Sequence, residues 1–145
     1  MTNKYSSILK LRKWKEDGIL NEVGRLNQVL ETDKRKLSRL EDHISDHAQS
    51  MGEVLREGSV ATLHEVGLYS SYLTHLSGEV RRQEKVVENR QTEMAHKRHE
   101  LGEAARDRKV VETLREKAVR AELREHERHA QREVEDVSAI RHGRR

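Results

Sequence analysis

Apolar residues recur at alternating steps of four and three along most of the chain, and the residues between them are mostly charged. The first series of these seam positions is Ile19, Val23, Leu26, Leu30, Asp33, Leu37, Leu40, Ile44, His47, Met51 and Val54. The second series is Val66, Tyr69, Leu73, Leu76, Val80, Gln83, Val87, Arg90, Met94, Lys97, Leu101 and Ala104. A repeat that averages 3.5 residues is typical of coiled-coil helices, so the pattern predicts two of them.

The two series are separated by residues 58–62, GSVAT. Glycine inside a helix costs about 1 kcal/mol relative to alanine, so a turn is expected here. We predict an all-α fold, a long antiparallel two-helix coiled-coil hairpin that forms a single domain over 1–145. Helix 1 covers about 4–57, the longer helix 2 covers about 63–140, and a basic tail follows over 141–145. The end of helix 2 extends past helix 1, and we expect it to fray or to order on a partner, since charge pairs alone hold it.

Polar residues at seam positions suggest a register for the hairpin. Placing Asp33 opposite Arg90 sets the acidic seam residue against a basic one, and such buried polar pairs commonly fix register. Alternatively, Arg90 and Lys97 extend their charged ends into solvent. The same register predicts three further contacts: His47 near Leu76, Leu40 near Gln83, and Leu26 near Lys97.

The composition limits the class of protein. Charged residues make up 38% of the chain and hydrophobic residues 33%, with no Phe, Pro or Cys. A compact domain usually has about 45–50% apolar residues, so a thick layered core is not expected. The absence of Cys excludes disulfides, Cys-ligated zinc and thiol catalysis. No apolar run approaches the roughly 20 residues that span a bilayer, and the start of the chain lacks the apolar segment of a signal peptide, so we expect a cytoplasmic protein.

The net charge is +3 at pH 7, and the basic excess lies near the two chain ends. A nucleic-acid-binding domain usually carries a clustered basic stripe, often with stacking aromatic residues. Here acidic residues alternate with basic ones, so we do not expect nucleic acid as a partner. A nucleic-acid or membrane-surface binder that uses the basic ends remains an alternative.

The sequence offers little for catalysis or metal binding. Pairs of histidines at helical spacing occur at His43 and His47, His96 and His99, and His126 and His129. A metal site needs further ligands from other elements, and the Glu93-x-x-His96 half-motif needs four helices where a hairpin supplies two. No nucleotide-binding loop, serine-hydrolase or zinc-protease motif occurs. We therefore expect no catalytic residue, no metal, no cofactor and no small-molecule substrate.

Two stretches carry a resemblance to a known family. Residues 69–83, YSSYLTHLSGEVRRQ, contain two aromatic residues three apart, followed by aliphatic residues at helical spacing. Residues 111–117, VETLREK, and then 134–140, VEDVSAI, form the second match. Both resemble the FliJ family, the soluble coiled-coil component of the bacterial flagellar type III export apparatus. The length, the missing Cys, the two-helix layout and the longer second helix agree with that family along the whole chain.

The resemblance implies a function without chemistry of its own. FliJ-like proteins resemble the central stalk of rotary ATPases, and they link the hexameric export ATPase to the cytoplasmic domain of the export-gate membrane protein. They also bind export substrate chaperones. Such a protein is cytoplasmic and peripherally associated with the inner membrane at the flagellar base. A generic coiled-coil scaffold and a virulence type III secretion stalk protein are the alternatives.

Two binding sites are expected. The resemblance places export-gate binding on Tyr69, Tyr72, Leu76 and Gln83, with Tyr72 partly exposed; alternatively, Tyr72 only widens the seam near the turn. The basic residues near the chain ends are expected to form a collar that docks on the ATPase ring, although a solvated helical face is the alternative. The collar consists of Lys10, Arg12, Lys13, Lys15, Arg115, Lys117 and Arg120, with Lys4, Arg108 and Lys109 beside them.

Trp14 is the only tryptophan. Together with Leu11 it forms a short stripe shifted from the seam, which either covers helix 2 near Val110 or is left exposed. We expect partial burial of Trp14, and contact with the ATPase ring is a further option for it.

Overall fold

The computed structural model describes residues 2–56 and 63–143, all of them helical. Helix α1 is Thr2–Arg56 and helix α2 is Leu63–Gly143. The helices pack against each other as a two-helix hairpin whose second helix is longer, so the predicted fold class is confirmed. The turn predicted at 58–62 lies outside the described residues.

Helix α2 continues to Gly143, so residues 141–143 are helical and do not begin a tail. Arg141 and His142 lie in its last turn, where positive charge is favourable beside the negative end of the helix dipole. The helix also continues through Gly78 and Gly102, because glycine weakens a helix without breaking it and the chain contains no proline.

The chain forms two compact units. We call the residues from Asn21 to His99 the central unit, and the residues up to Leu20 together with those from Glu100 onward the terminal unit. In the central unit the buried apolar side chains are Leu26, Leu30, Leu76, Val87 and Met94. In the terminal unit they are Leu9, Ala104 and Val111.

The predicted seam faces the interface between the helices. Every position of both series is buried or half-buried, whereas most residues between them are exposed. Since one side of each helix is covered by one partner helix only, most seam side chains stay half-buried, and Met94 is the most buried of the core residues at 3% exposure.

Every residue in the last part of α2, residues 119–143, is exposed. We call this segment the overhang. It corresponds to the predicted extension of helix 2 past helix 1, and it is helical to Gly143. Within the described ranges, neither helix contains a stretch apolar enough to cross a membrane.

Candidate interaction surfaces

Three rings meet in the central unit where His47 of α1 packs against α2. The His47 ring centroid lies 4.9 Å from that of Tyr69, with the rings tilted by 32°. It lies 4.6 Å from the Tyr72 centroid in an edge-on arrangement at 71°. His47 Nε2 is 3.3 Å from the backbone carbonyl oxygen of Tyr69. Because a carbonyl oxygen only accepts, Nε2 carries the hydrogen and donates it.

The residues predicted to bind the export gate divide into two groups. Tyr72 is 45% exposed, which agrees with the expected partial exposure, and Tyr69 is half-buried. Leu76 and Gln83 are both buried at 6% exposure, because they occupy seam positions and point at α1. The structure therefore leaves Tyr72 as the member of this set that a partner can readily contact.

Leu68 is an exposed residue beside Tyr72 that was not predicted as part of the site. Leu68 is 59% exposed and precedes Tyr72 by one helical turn, so the two side chains are neighbours on the same side of α2. His75 and Glu79 continue this side, and Glu79 accepts a hydrogen bond from Arg82 at 2.6 Å. We call Leu68, Tyr72, His75 and Glu79 the Tyr72 surface. The sequence pattern that could have indicated Leu68 is an apolar residue outside the seam, four positions before the aromatic Tyr72.

The ion pair predicted between Asp33 and Arg90 is present. Arg90 Nε lies 3.3 Å from Asp33 Oδ2, and Arg90 Nη1 lies 3.3 Å from Glu93. Gln83 Nε2 donates to the backbone carbonyl oxygen of Asp33 at 2.9 Å. A buried glutamine side chain thus has its hydrogen-bond partner on the opposite helix.

The structure gives other contacts to the residues that the predicted register pairs. His47 meets Tyr69 and Tyr72 where Leu76 was expected. The side chain of Gln83 reaches the carbonyl group of residue 33, where Leu40 was expected, and Lys97 reaches Glu22 where Leu26 was expected. Long helical side chains lean toward the N-terminus of their own helix, so the contact between Arg90 and residue 33 does not place the two residues level.

Lys97 is paired with a carboxylate in the central unit. Its Nζ lies 2.7 Å from Glu22 Oε2. The hydrogen bond and the positive charge of Lys97 lower the pKa of Glu22 below its ordinary value, against a small opposing effect of burial. The alternative in which Lys97 and Arg90 extend only into solvent does not hold, since both side chains contact acids of α1.

Part of the predicted basic collar is already neutralised within the terminal unit. Arg12 Nη1 lies 3.3 Å from Asp107. Arg108 donates to both Glu16 and Glu112, and these hydrogen bonds raise the pKa of its guanidinium group. The interface of this unit therefore combines ion pairs with the buried apolar side chains of Leu9, Ala104 and Val111.

The remaining collar residues do not share one face. Lys13 of α1 and the α2 residues Arg115 and Arg120 line one shallow groove. The other members are exposed and lie outside this groove: Lys10, Lys15 and Lys117. The structure brings together three of the seven predicted residues in a surface that a partner could contact; we call Lys13, Arg115 and Arg120 the basic groove.

The expected partial burial of Trp14 is wrong. Trp14 is 78% exposed, and Leu11 and Val110 are also exposed, at 65% and 59%. The seam passes through Arg12 and Glu16, which are half-buried and ion-paired, and a residue midway between them points to the opposite side of the helix. The contact of Trp14 with the ATPase ring stays a prediction.

One member of the histidine pairs contacts a carboxylate of its own helix: His129 Nδ1 lies 3.4 Å from Glu133. Across the two described ranges, no three His, Asp or Glu side chains are grouped so that they could hold a metal ion.

Comparison with known protein families gives a match over the whole chain. The model of the family described as flagellar FliJ protein matches residues 1–145, the whole chain. Neither the curated proteins nor the solved structures contain a match.

Proposed function

Because the chain belongs to the FliJ family and is a component of the flagellar export apparatus, we propose that it is a stalk and adaptor linking the export ATPase ring to the export gate. The family is a non-enzymatic export component, and we propose that this chain also transmits contacts without catalysing a reaction. Its proposed location is the cytoplasmic side of the inner membrane at the flagellar base. Export substrate chaperones are further proposed partners. The match along the whole chain to a flagellar family supports the flagellar branch over the virulence branch and over a generic scaffold.

The Tyr72 surface is the proposed site of contact with the cytoplasmic domain of the gate protein. Two large side chains one turn apart, Leu68 and Tyr72, are exposed there, and tyrosine is among the residues that most often carry binding energy at interfaces. Leu76 and Gln83 contribute to this site by packing α2 against α1, since both are buried. The exposed tyrosine is the observation that supports gate binding.

The basic groove is the proposed site of contact with the ATPase ring. Lys13, Arg115 and Arg120 lie together there with the acidic Glu112 and Glu116. Glu112 is already paired with an arginine of its own helix, so positive charge remains in excess at this surface. A basic surface of this kind mainly increases the rate and the orientation of association with an acidic partner.

Gate binding is tested with the purified cytoplasmic domain of the gate protein and the full chain. Tyr72→Ala should weaken binding by about tenfold or more, because truncating an interface anchor typically costs about 2 kcal/mol. Its melting temperature should stay close to that of the wild type. Val86→Ala is the matched control, since Val86 is a partly exposed apolar residue on the same helix.

If Tyr72→Ala lowers the melting temperature sharply while gate binding at low temperature is retained, Tyr72 is a packing residue and the gate proposal is wrong.

ATPase binding is tested by charge reversal of the basic groove. A triple variant with Glu at Lys13, Arg115 and Arg120 should lose stimulation of the ATPase, most clearly at low salt, where surface charges are least screened. The control triple carries Glu at three exposed basic residues of α1 in the central unit: Arg35, Lys36 and Arg39. If both triple variants stimulate the ATPase equally at low salt, the basic groove is not the site of ATPase contact.

A further inference from the structure

We propose that His47 of α1 is a positioning residue for Tyr72, so that both helices build the surface that docks on the export gate. This inference rests on the proposed function of the Tyr72 surface. It assigns to the first helix a part of a site that the sequence places wholly on the second.

The His47 ring contacts a backbone carbonyl oxygen and two aromatic rings of α2. Its Nε2 donates to the backbone carbonyl oxygen of Tyr69 at 3.3 Å, which sets the orientation of the ring. The ring then presents to Tyr72 at 4.6 Å and 71°, within the range in which edge-on aromatic pairs attract each other. The position of the Tyr72 ring is thereby tied to the backbone of its own helix through a residue of the other helix.

A histidine at this position calls for a physical reason. His47 occupies a seam position where leucine, valine or isoleucine is the rule along α1. Burying a polar ring without a partner is unfavourable, and here a hydrogen bond offsets that cost. The edge-on contact between two aromatic rings is the feature that an aliphatic side chain at position 47 could not supply to Tyr72.

The consequence for binding is preorganisation. Tyr72 is 45% exposed, so without a neighbour its ring would sample several rotamers and would have to be ordered on binding. Ordering an exposed side chain at an interface opposes association. A ring held in place by His47 avoids part of that cost, and His47 need not touch the partner itself.

The first test measures binding of the full chain to the purified gate domain. His47→Ala should weaken binding about three- to tenfold, as expected when one side chain must be ordered on association. In a Tyr72→Ala background the same substitution should have little further effect, because the two residues act together. The matched control is His43→Ala, since His43 is exposed and lies one turn earlier on the same helix.

Two conservative variants separate the ring from its hydrogen bond. His47→Phe keeps an aromatic edge against Tyr72 and should retain most of the binding. His47→Gln keeps a donor for the Tyr69 carbonyl oxygen but has no ring, and it should bind as weakly as His47→Ala. If His47 were needed only for stability, the three variants would differ in melting temperature in this order, but they would bind the gate domain equally well at temperatures far below melting.

The second test observes the ring directly in the free protein. Fluorotyrosine at position 72 should give a fluorine NMR signal that shifts and sharpens in His47→Ala and His47→Gln, since the neighbouring ring is lost and motion increases. An unchanged signal, or equal loss of binding from His47→Ala with and without Tyr72, would overturn the inference. If Tyr72→Ala weakens gate binding and His47→Ala does not, only the inference fails. If Tyr72→Ala leaves gate binding intact, the proposed function fails and the inference fails with it.

Discussion

Replacing Asp33 and Arg90 together by leucine should stabilise the central unit. The two side chains are joined at 3.3 Å, and they are 20% and 41% exposed. Both occupy seam positions whose neighbours along each helix are apolar. The Asp33 backbone carbonyl, which accepts the hydrogen bond of Gln83, is retained in the double variant, so that contact is not removed.

The magnitude follows from opposing contributions. The double variant loses the pairs of Arg90 with Asp33 and with Glu93, and the exposure of Arg90 keeps each within the roughly 0.2–1 kcal/mol of a solvent-accessible ion pair. Full burial of a leucine contributes about 1.5–3 kcal/mol, and both positions bury only part of the side chain. Two partly buried leucines outweigh the lost pairs, and we expect the double variant to be more stable by about 1–3 kcal/mol.

Urea denaturation followed by helical circular dichroism measures this difference. The wild type, the two single variants and the double variant together give the coupling energy of the pair, which should be about 1 kcal/mol or less. Sedimentation on the same four proteins detects self-association, which apolar seams without polar residues favour. A double variant less stable than the wild type would refute the reasoning, because the pair would then contribute more than the apolar burial that replaces it.

Three further predictions concern other parts of the molecule. Lys97 lowers the pKa of Glu22, so the Glu22 carboxylate stabilises the fold above its unfolded-state pKa, and this stabilisation is lost as the pH falls through the lower folded-state pKa. The urea midpoint should therefore change less steeply with pH between pH 3 and 6 in Glu22→Gln than in Glu53→Gln. Equal slopes of the two variants would contradict this. Met94→Ala should cost about 2–5 kcal/mol by urea denaturation, whereas Val137→Ala, at an exposed site, should cost less than about 0.5 kcal/mol. Limited trypsin digestion should cut first within 119–143, since no second helix covers that segment; first cuts in the central unit would show that the overhang is protected.

The helices and their buried faces could be predicted from the sequence because both depend on a repeat of apolar residues. All seam positions from Ile19 to Val54 and from Val66 to Ala104 face the interface. That success has a physical basis: a sequence with so few apolar residues can only bury them by lining them up along one side of each helix. The family resemblance was likewise carried by residues spaced along the second helix, and the family match confirms it.

The register and the binding surfaces could not be predicted to the same depth. The predicted pairing of Asp33 with Arg90 is confirmed, but it does not fix the register of the two helices. A long arginine side chain can reach the same carboxylate from more than one position along its helix. The resemblance assigns Leu76 and Gln83 to gate binding, but both are seam positions, and their side chains are buried against α1. Partial burial of Trp14 was expected because it forms a stripe with Leu11, whereas ion pairs of Arg12 and Glu16 occupy the interface there.

The hydrogen bonds of Gln83 and His47 to backbone carbonyl oxygens affect how this interface can change by mutation. Every residue type supplies a backbone carbonyl group, so substitution at the accepting positions leaves the acceptor in place. Only the donor side chain is under selection for each bond, and a pair of compensating mutations is never required. In related hairpins, the residue at the accepting position can therefore change while the donor position keeps its glutamine or histidine. Correlated substitutions between the two helices are not expected to reveal these hydrogen bonds.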